Sequence, residues 1–239
     1  IWGKPIILGI ILFFIPAKLD MSYQIKFVDL FVLIIIASMW NLLAGFGGLV
    51  SVGQQAFIGI GAYALVFFTD LKGLGVIPGL IAAALFTGLL AIPLSLLVFR
   101  LKGGYFAIGT WVIAEIIKLV TVQIQSLGGG AGVSVAAFAD TEREPRIKFV
   151  YLAALTVAIV ILVGTFLLMR SRLGLALTAI RDDETAAGTL GVNVTAAQRT
   201  IFILVAMGFG AAGALIALTT LRVQPDDIFS VNYSAIMIS

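Results

Sequence analysis

Neither cysteine nor histidine occurs among the 239 residues, and only 11% of them are charged. The first absence excludes disulfides, thiol nucleophiles and thiolate metal ligands from this sequence. The second removes imidazole acid–base chemistry and the H-E-x-x-H zinc site of the commonest intramembrane metalloproteases. No carboxylate pair or Ser/Lys dyad replaces them, so an enzyme reading has no catalytic residues to stand on. A phosphate-binding G-x-x-x-x-G-K-[ST] loop is also missing: Gly3-Lys4 runs into Pro5 and lacks the preceding glycine. Any ATP this protein depends on is therefore bound by another chain. What is abundant is apolar surface, with 61% hydrophobic residues and a mean hydropathy of +1.16. Soluble domains carry about a quarter charged residues, so this composition marks an integral membrane protein. Many of the 26 glycines lie inside apolar runs, where they permit close helix approach. The net charge of +3 does not point to nucleic acid, because the basic residues are scattered among loops.

A hydrocarbon core about 30 Å thick needs about 20 apolar residues as helix. Runs of this kind cover residues 5–17 (short), 27–44, 56–69, 76–99, 105–122, 149–169 and 200–221, and an eighth begins near Tyr233. They are too long and continuous for barrel strands, and only helices otherwise satisfy backbone groups in lipid. The expected fold is all-α: a polytopic membrane bundle of about eight or more transmembrane helices in the full protein, with residues 1–239 forming one transmembrane domain. The sequence starts without methionine and stops inside an apolar run, which reads as part of a longer chain. Charge does not fix the orientation. Alternating the spans puts Lys4, Arg100, Lys102, Arg170, Arg172, Arg181 and Arg199 on one side; Lys18, Lys26, Lys72, Arg143, Arg146, Lys148 and Arg222 fall on the other.

Three segments stand out from the apolar background. Residues 173–193 form a charged, helix-competent insert between two spans, within a loop at residues 170–199. Asp183 is expected to cap a helix of about two turns, with Asp182 and Glu184 adding charge that its dipole favours and Gly191 ending it in the left-handed conformation. Ala186, Ala187 and Gly188 would leave a nearly bare face for a partner. Residues 41–63 run from Asn41 through a glycine-rich polar step to Tyr63, with Gly48, Gly59 and Gly61 around Ser51, Gln54 and Gln55. Transporters build pathways from such broken helices, although packing alone also explains the glycines. The third segment, Tyr105 to Glu115, places an ionisable group inside a span. Such a group is expected to face a bundle interior or an aqueous path, and Lys118, three residues on, is positioned to neutralise it. Asp29 is expected at an interface. The stretch 126–133 has no hydrophobic periodicity and reads as flexible or re-entrant backbone within a long external loop.

Together these pieces resemble the permease subunits of branched-chain amino-acid ABC importers, in particular the LivM-type member of the LivH/LivM family. The matching residues are Asn41-Leu-Leu-Ala-Gly, the run from Gly48 to Tyr63, Tyr105-Phe-Ala-Ile, Gly128-Gly-Gly-Ala-Gly132, and Ala179-Ile-Arg-Asp-Asp-Glu-Thr-Ala-Ala with Leu190-Gly-Val-Asn193. They occur in the family's order over most of the chain. The resemblance implies a cytoplasmic E-A-A-x-x-x-G-like element that docks on an ATPase. Ala186-Ala-Gly-Thr-Leu-Gly191 fits its second part, while Thr185 displaces Glu184 by one residue. It implies that Arg181, Asp182, Asp183, Glu184, Ala186, Ala187, Gly188 and Gly191 couple to that ATPase. Asn41, Gly48, Ser51, Gln54, Gln55, Gly59, Gly61, Tyr63, Tyr105 and Glu115 would lie along the translocation path.

The partners implied are a LivH-like second permease, two ABC ATPases carrying ATP and magnesium, a periplasmic substrate-binding protein and membrane lipid, all at a bacterial inner membrane. This chain would hold no cofactor itself. Permeases of the same family for urea or short amides share the pattern. A self-sufficient secondary transporter or channel for small polar solutes, leaning on Glu115 and Asp29, is the rival from another class.

Overall fold

A computed structural model of the chain describes residues 20–101, 103–138 and 141–230. The spans expected at 5–17 and from Tyr233, and the residues Lys4, Lys18 and Lys102, lie outside the described residues. Helix α1 runs over Met21–Trp40 and continues through a wider π-helical turn, Asn41–Phe46. Helix α2, Gln54–Val66, is followed by a second such turn, Phe67–Leu71. Then come α3 (Val76–Val98), α4 (Gly104–Gln123), α5 (Arg143–Met169), α6 (Arg172–Asp182), α7 (Glu184–Thr189), α8 (Val194–Thr220) and α9 (Pro225–Ile228). Five helical stretches among the described residues are long and apolar enough to cross a membrane. The all-α expectation holds. The span expected to start at 149 begins six residues earlier, at Arg143, because Pro145 is tolerated in a first turn and a Glu144–Lys148 ion pair at 2.6 Å supports it.

Helix α8 is the centre of the bundle: 78% of its most apolar stretch is buried, against 17% for α5. Its sequence explains the position. Gly208 faces Met39 of α1, Gly210 faces Thr87 of α3, and Gly213 lies against the Ile58 carbonyl of α2. In lipid no hydrophobic gain separates helix from solvent, so close van der Waals approach supplies the association. A second backbone-to-backbone approach joins Gly61 of α2 to Gly210, where any side chain would collide with main chain. Helix α1 packs on α5 through Tyr151, whose ring meets Phe31 edge-on at 5.5 Å and Phe27 at 6.2 Å.

All thirteen residues of α2 are buried. About 20 Å long by its rise per residue, it is too short to span alone and is extended by the turn that follows. Residues 47–53 before it are not helical, yet several are buried. Their backbone groups find partners inside the protein: Thr110 Oγ1 accepts from Val52 N–H at 3.2 Å, and Gln198 donates to the Gly47 carbonyl at 3.3 Å. This is the unwound segment read from the glycines, tolerated because protein surrounds it.

Residues 126–133, expected as flexible or re-entrant backbone, follow a path of defined turns. Residues 125–127 and 129–131 form tight helical turns. Strand β1 (Val133–Ser134) then pairs antiparallel with β2 (Arg222–Val223). Asp70 accepts a 2.8 Å bond from the Ala136 N–H and ties this loop to the end of α2. Left-handed Gly128, Gly129 and Gly132 make the path possible, and such turns leave no periodicity to read.

Candidate functional site

Helix α7 forms at one end of the bundle and is closed at both ends by its own sequence. Asp183 has extended backbone, and its Oδ1 accepts from Thr185 N–H at 2.8 Å and Ala186 N–H at 2.9 Å. Glu184 sits in the first turn, where its charge suits the helix dipole. At the other end Gly191 has φ +88°. The Val192 N–H reaches the Ala187 carbonyl and the Gly191 N–H reaches that of Gly188, both at 3.1 Å. That pair of bonds is the Schellman arrangement, which uses up carbonyls left free by the helix. The cap and the stop are therefore where the sequence placed them.

The small-residue face differs from expectation. Ala187 is buried against the bundle, whereas Ala186 and Gly188 are exposed, because successive helical residues turn by about 100° and cannot share one face. Leu190, 83% exposed, stands beside them, and Leu175 of α6 is 70% exposed. Neither leucine was singled out from the sequence; an apolar residue just inside a helix stop was the available signal. Arg181 also turns inward to its neighbours, pairing with Asp182 at 3.1 Å and lying over the Phe46 ring at 5.7 Å. Ser171 and Asn193 cap the flanking helices α6 and α8, accepting from Gly174 N–H and Ala196 N–H. The whole 170–199 segment is thus three capped helix ends around one short exposed helix.

The polar step is built in the opposite way. Ser51, Gln54 and Gln55 are no more than 1% exposed. Both amide atoms of Gln54 are buried without a hydrogen-bond partner, as is the Tyr63 hydroxyl. A void of about 10 Å³ beside Ser51, Thr110 and Phe202 has room for about one water. Gly59 receives the ring of Phe229, which lies where a side chain would begin. Gly61 meets Gly210, and Gly48 is exposed with φ +65°. Asn41 is exposed near the α7 end, while Tyr105 and Glu115 are exposed on the outer face of α4. The ten residues expected along a path therefore divide between the buried step and two exposed sites, Asn41 with Gly48 and Tyr105 with Glu115. The large cavity, about 840 Å³, lies elsewhere, between the apolar sides of α3, α5 and α8.

Glu115 does not face the bundle interior, and although its charge acts on Lys118 the two form no direct ion pair. Lys118 instead makes a 2.7 Å ion pair with Asp226 of α9, a partner 108 positions away that helical spacing cannot reveal. The signal for α9 was present in Pro225-Asp226-Asp227, a proline and two acids at a helix start. Glu115 is exposed among Ile108, Trp111, Val112, Ile116 and Leu119, about midway along α4. Asp29 is likewise exposed, on α1.

Comparison with known proteins fits this architecture. Residues 25–239 match the family described as the permease component of branched-chain amino acid transport systems. The chain is 30% identical over 212 residues to the high-affinity branched-chain amino acid transport system permease protein LivM of Salmonella typhimurium, and equally to that of Escherichia coli. Each alignment takes in 78% of this chain and 50% of the relative, so the chain spans about half the length of the curated relatives it matches. No solved structure matches it. With its apolar spans packed around a glycine-notched α8 and its buried helix break, the chain is a multi-pass protein of the inner membrane and belongs to the family of branched-chain amino acid transport system permease components.

Proposed function

We propose that this chain is one transmembrane subunit of an ABC importer for amino acids, branched-chain or similarly apolar, driven by ATP hydrolysed on two partner ATPases. The observation that carries the reading is α7: a short helix, stopped at both ends, presenting Ala186, Gly188 and Leu190 outward at one end of a membrane bundle. A helix with satisfied ends keeps its shape when a partner pushes on it, and a low-relief face admits a groove wall closely. In this reading the α7 end is cytoplasmic, and the β1–β2 end faces the periplasm and the substrate-binding protein.

Glu115 supports a second permease beside α4. A charge midway along a lipid-facing helix costs at least about 2.5 kcal/mol, and the outward sides of α3 and α5 avoid it with Ile77, Ile81, Leu85, Leu89, Val160, Val163 and Leu167. The α4 face, which carries Tyr105 and Glu115, is therefore the one for a homologous subunit and the pathway between them. The test is purification of the chain with its partners. Co-elution of a P-loop ATPase and ATP-dependent uptake are expected; ion-driven flux through the chain alone would overturn the reading.

A further inference from the structure

The end of the bundle opposite α7 holds a charged cluster that the coupling helix does not explain. Helix α9 is anchored there by Phe229, 3% exposed, whose ring fills the notch at Gly59 and stacks on Tyr63 at 6.2 Å and 24°. This anchoring holds the Asp226 carboxylate, 86% exposed, at 2.7 Å from Lys118 Nζ, whose side chain is 22% exposed. One turn before Lys118 on α4, Glu115 makes no ion pair or hydrogen bond among the described residues. One turn before Glu115 on the same helical side, Trp111 is 47% exposed. The Tyr63 hydroxyl, in a residue only 4% exposed and within electrostatic reach of Asp226, lacks the hydrogen-bond partner a buried hydroxyl needs.

We propose that Lys118, Asp226 and Glu115 form an orienting subsite for an α-amino-acid zwitterion with an apolar side chain. Lys118 takes the carboxylate, Asp226 and Glu115 take the ammonium, and the side chain lies on Trp111. The charge pattern selects this ligand class. A simple cation meets Lys118, and a simple anion meets two carboxylates. A zwitterion exchanges one ion pair for two, its carboxylate on Lys118 and its ammonium shared by the two acidic groups.

The proposal rests on the importer reading, and the experiment separates the two. The assembled importer, with its ATPases and binding protein, is reconstituted in vesicles and assayed with labelled leucine. Absence of ATP-dependent uptake by the unaltered complex would sink the importer reading itself. Given that uptake, Lys118→Gln and Asp226→Asn are each expected to lower it at least tenfold. Glu115→Gln, which breaks no ion pair or hydrogen bond among the described residues, is expected to lower it at least threefold with a nearly unchanged melting temperature. The reversed pair, Lys118→Glu with Asp226→Lys, restores the tie between α4 and α9 and presents the charges in the wrong order; uptake should stay low while the melting temperature recovers. Normal uptake in Glu115→Gln, or uptake recovered in the reversed pair, would show a structural tie and overturn the subsite.

Discussion

Helices α7 and α2 both follow a break in the chain, and they solve the problem of a helix start in opposite ways. Asp183 covers two N–H groups of α7 with its own carboxylate. Helix α2 starts after Gly53 with no side-chain cap, and its first residue, Gln54, is buried with its amide unused. The first helix is complete within its own segment and exposed on most of its surface. The second is held only by the bundle around it and carries an unmet polar demand of about 1–3 kcal/mol. A self-contained element suits rigid-body docking; a buried, under-satisfied one suits a place where the protein changes arrangement. Five substitutions bear on that contrast.

The largest effect is expected at Gly61. Leucine there collides with the Gly210 main chain, which cannot rotate away as a side chain can, so the folded bundle should be lost, as read by monodisperse yield in detergent. Leucine at Gly188 meets open space and should leave that yield unchanged. A normally folded Gly61→Leu would break the claim that α2 depends on the bundle.

Next comes Gln54→Met, which removes a buried amide without opening a cavity. It should raise stability by about 1–3 kcal/mol, seen as a higher melting temperature, while lowering uptake at least tenfold if the step moves during transport. A lower melting temperature would mean that Gln54 gains a partner in the assembled complex. Asp183→Ala should cost about 1 kcal/mol, confined to α7 and visible as faster amide exchange at Thr185 and Ala186. Smallest is Arg181→Ala. Its exposed pair with Asp182 is worth less than about 1 kcal/mol, so melting and uptake should barely change; a large loss of uptake would return Arg181 to the docking surface.

The same contrast explains how much could be read in advance. The five long spans follow from apolar run length, and the cap at Asp183 and stop at Gly191 from short-range backbone chemistry, so these were legible. The helix break before Gln54 was legible from its glycines. Pairings set by tertiary packing were not: Lys118 finds Asp226 because α9 folds back onto α4, and the ring of Phe229 packs into the notch at Gly59. Nor could the sequence say which small residue of α7 faces in, since the direction of a two-turn helix is set by α6 and α8 beneath it. The strand pairing of Val133 with Val223 was hidden for a related reason: two residues are too few for an alternating pattern.

The central claim is that α7 transmits ATP hydrolysis through its exposed face. Gly188→Trp tests it most directly, because among the described residues no neighbouring element comes within 4 Å of where a side chain would begin there and the bulk projects outward, toward a partner. In the reconstituted importer, leucine uptake and ATP hydrolysis would be measured together. The account predicts that uptake falls to background, through loss of the ATPase or hydrolysis without transport, while the permease melts at its normal temperature. An assembled Gly188→Trp complex that imports leucine at the unaltered rate would contradict it.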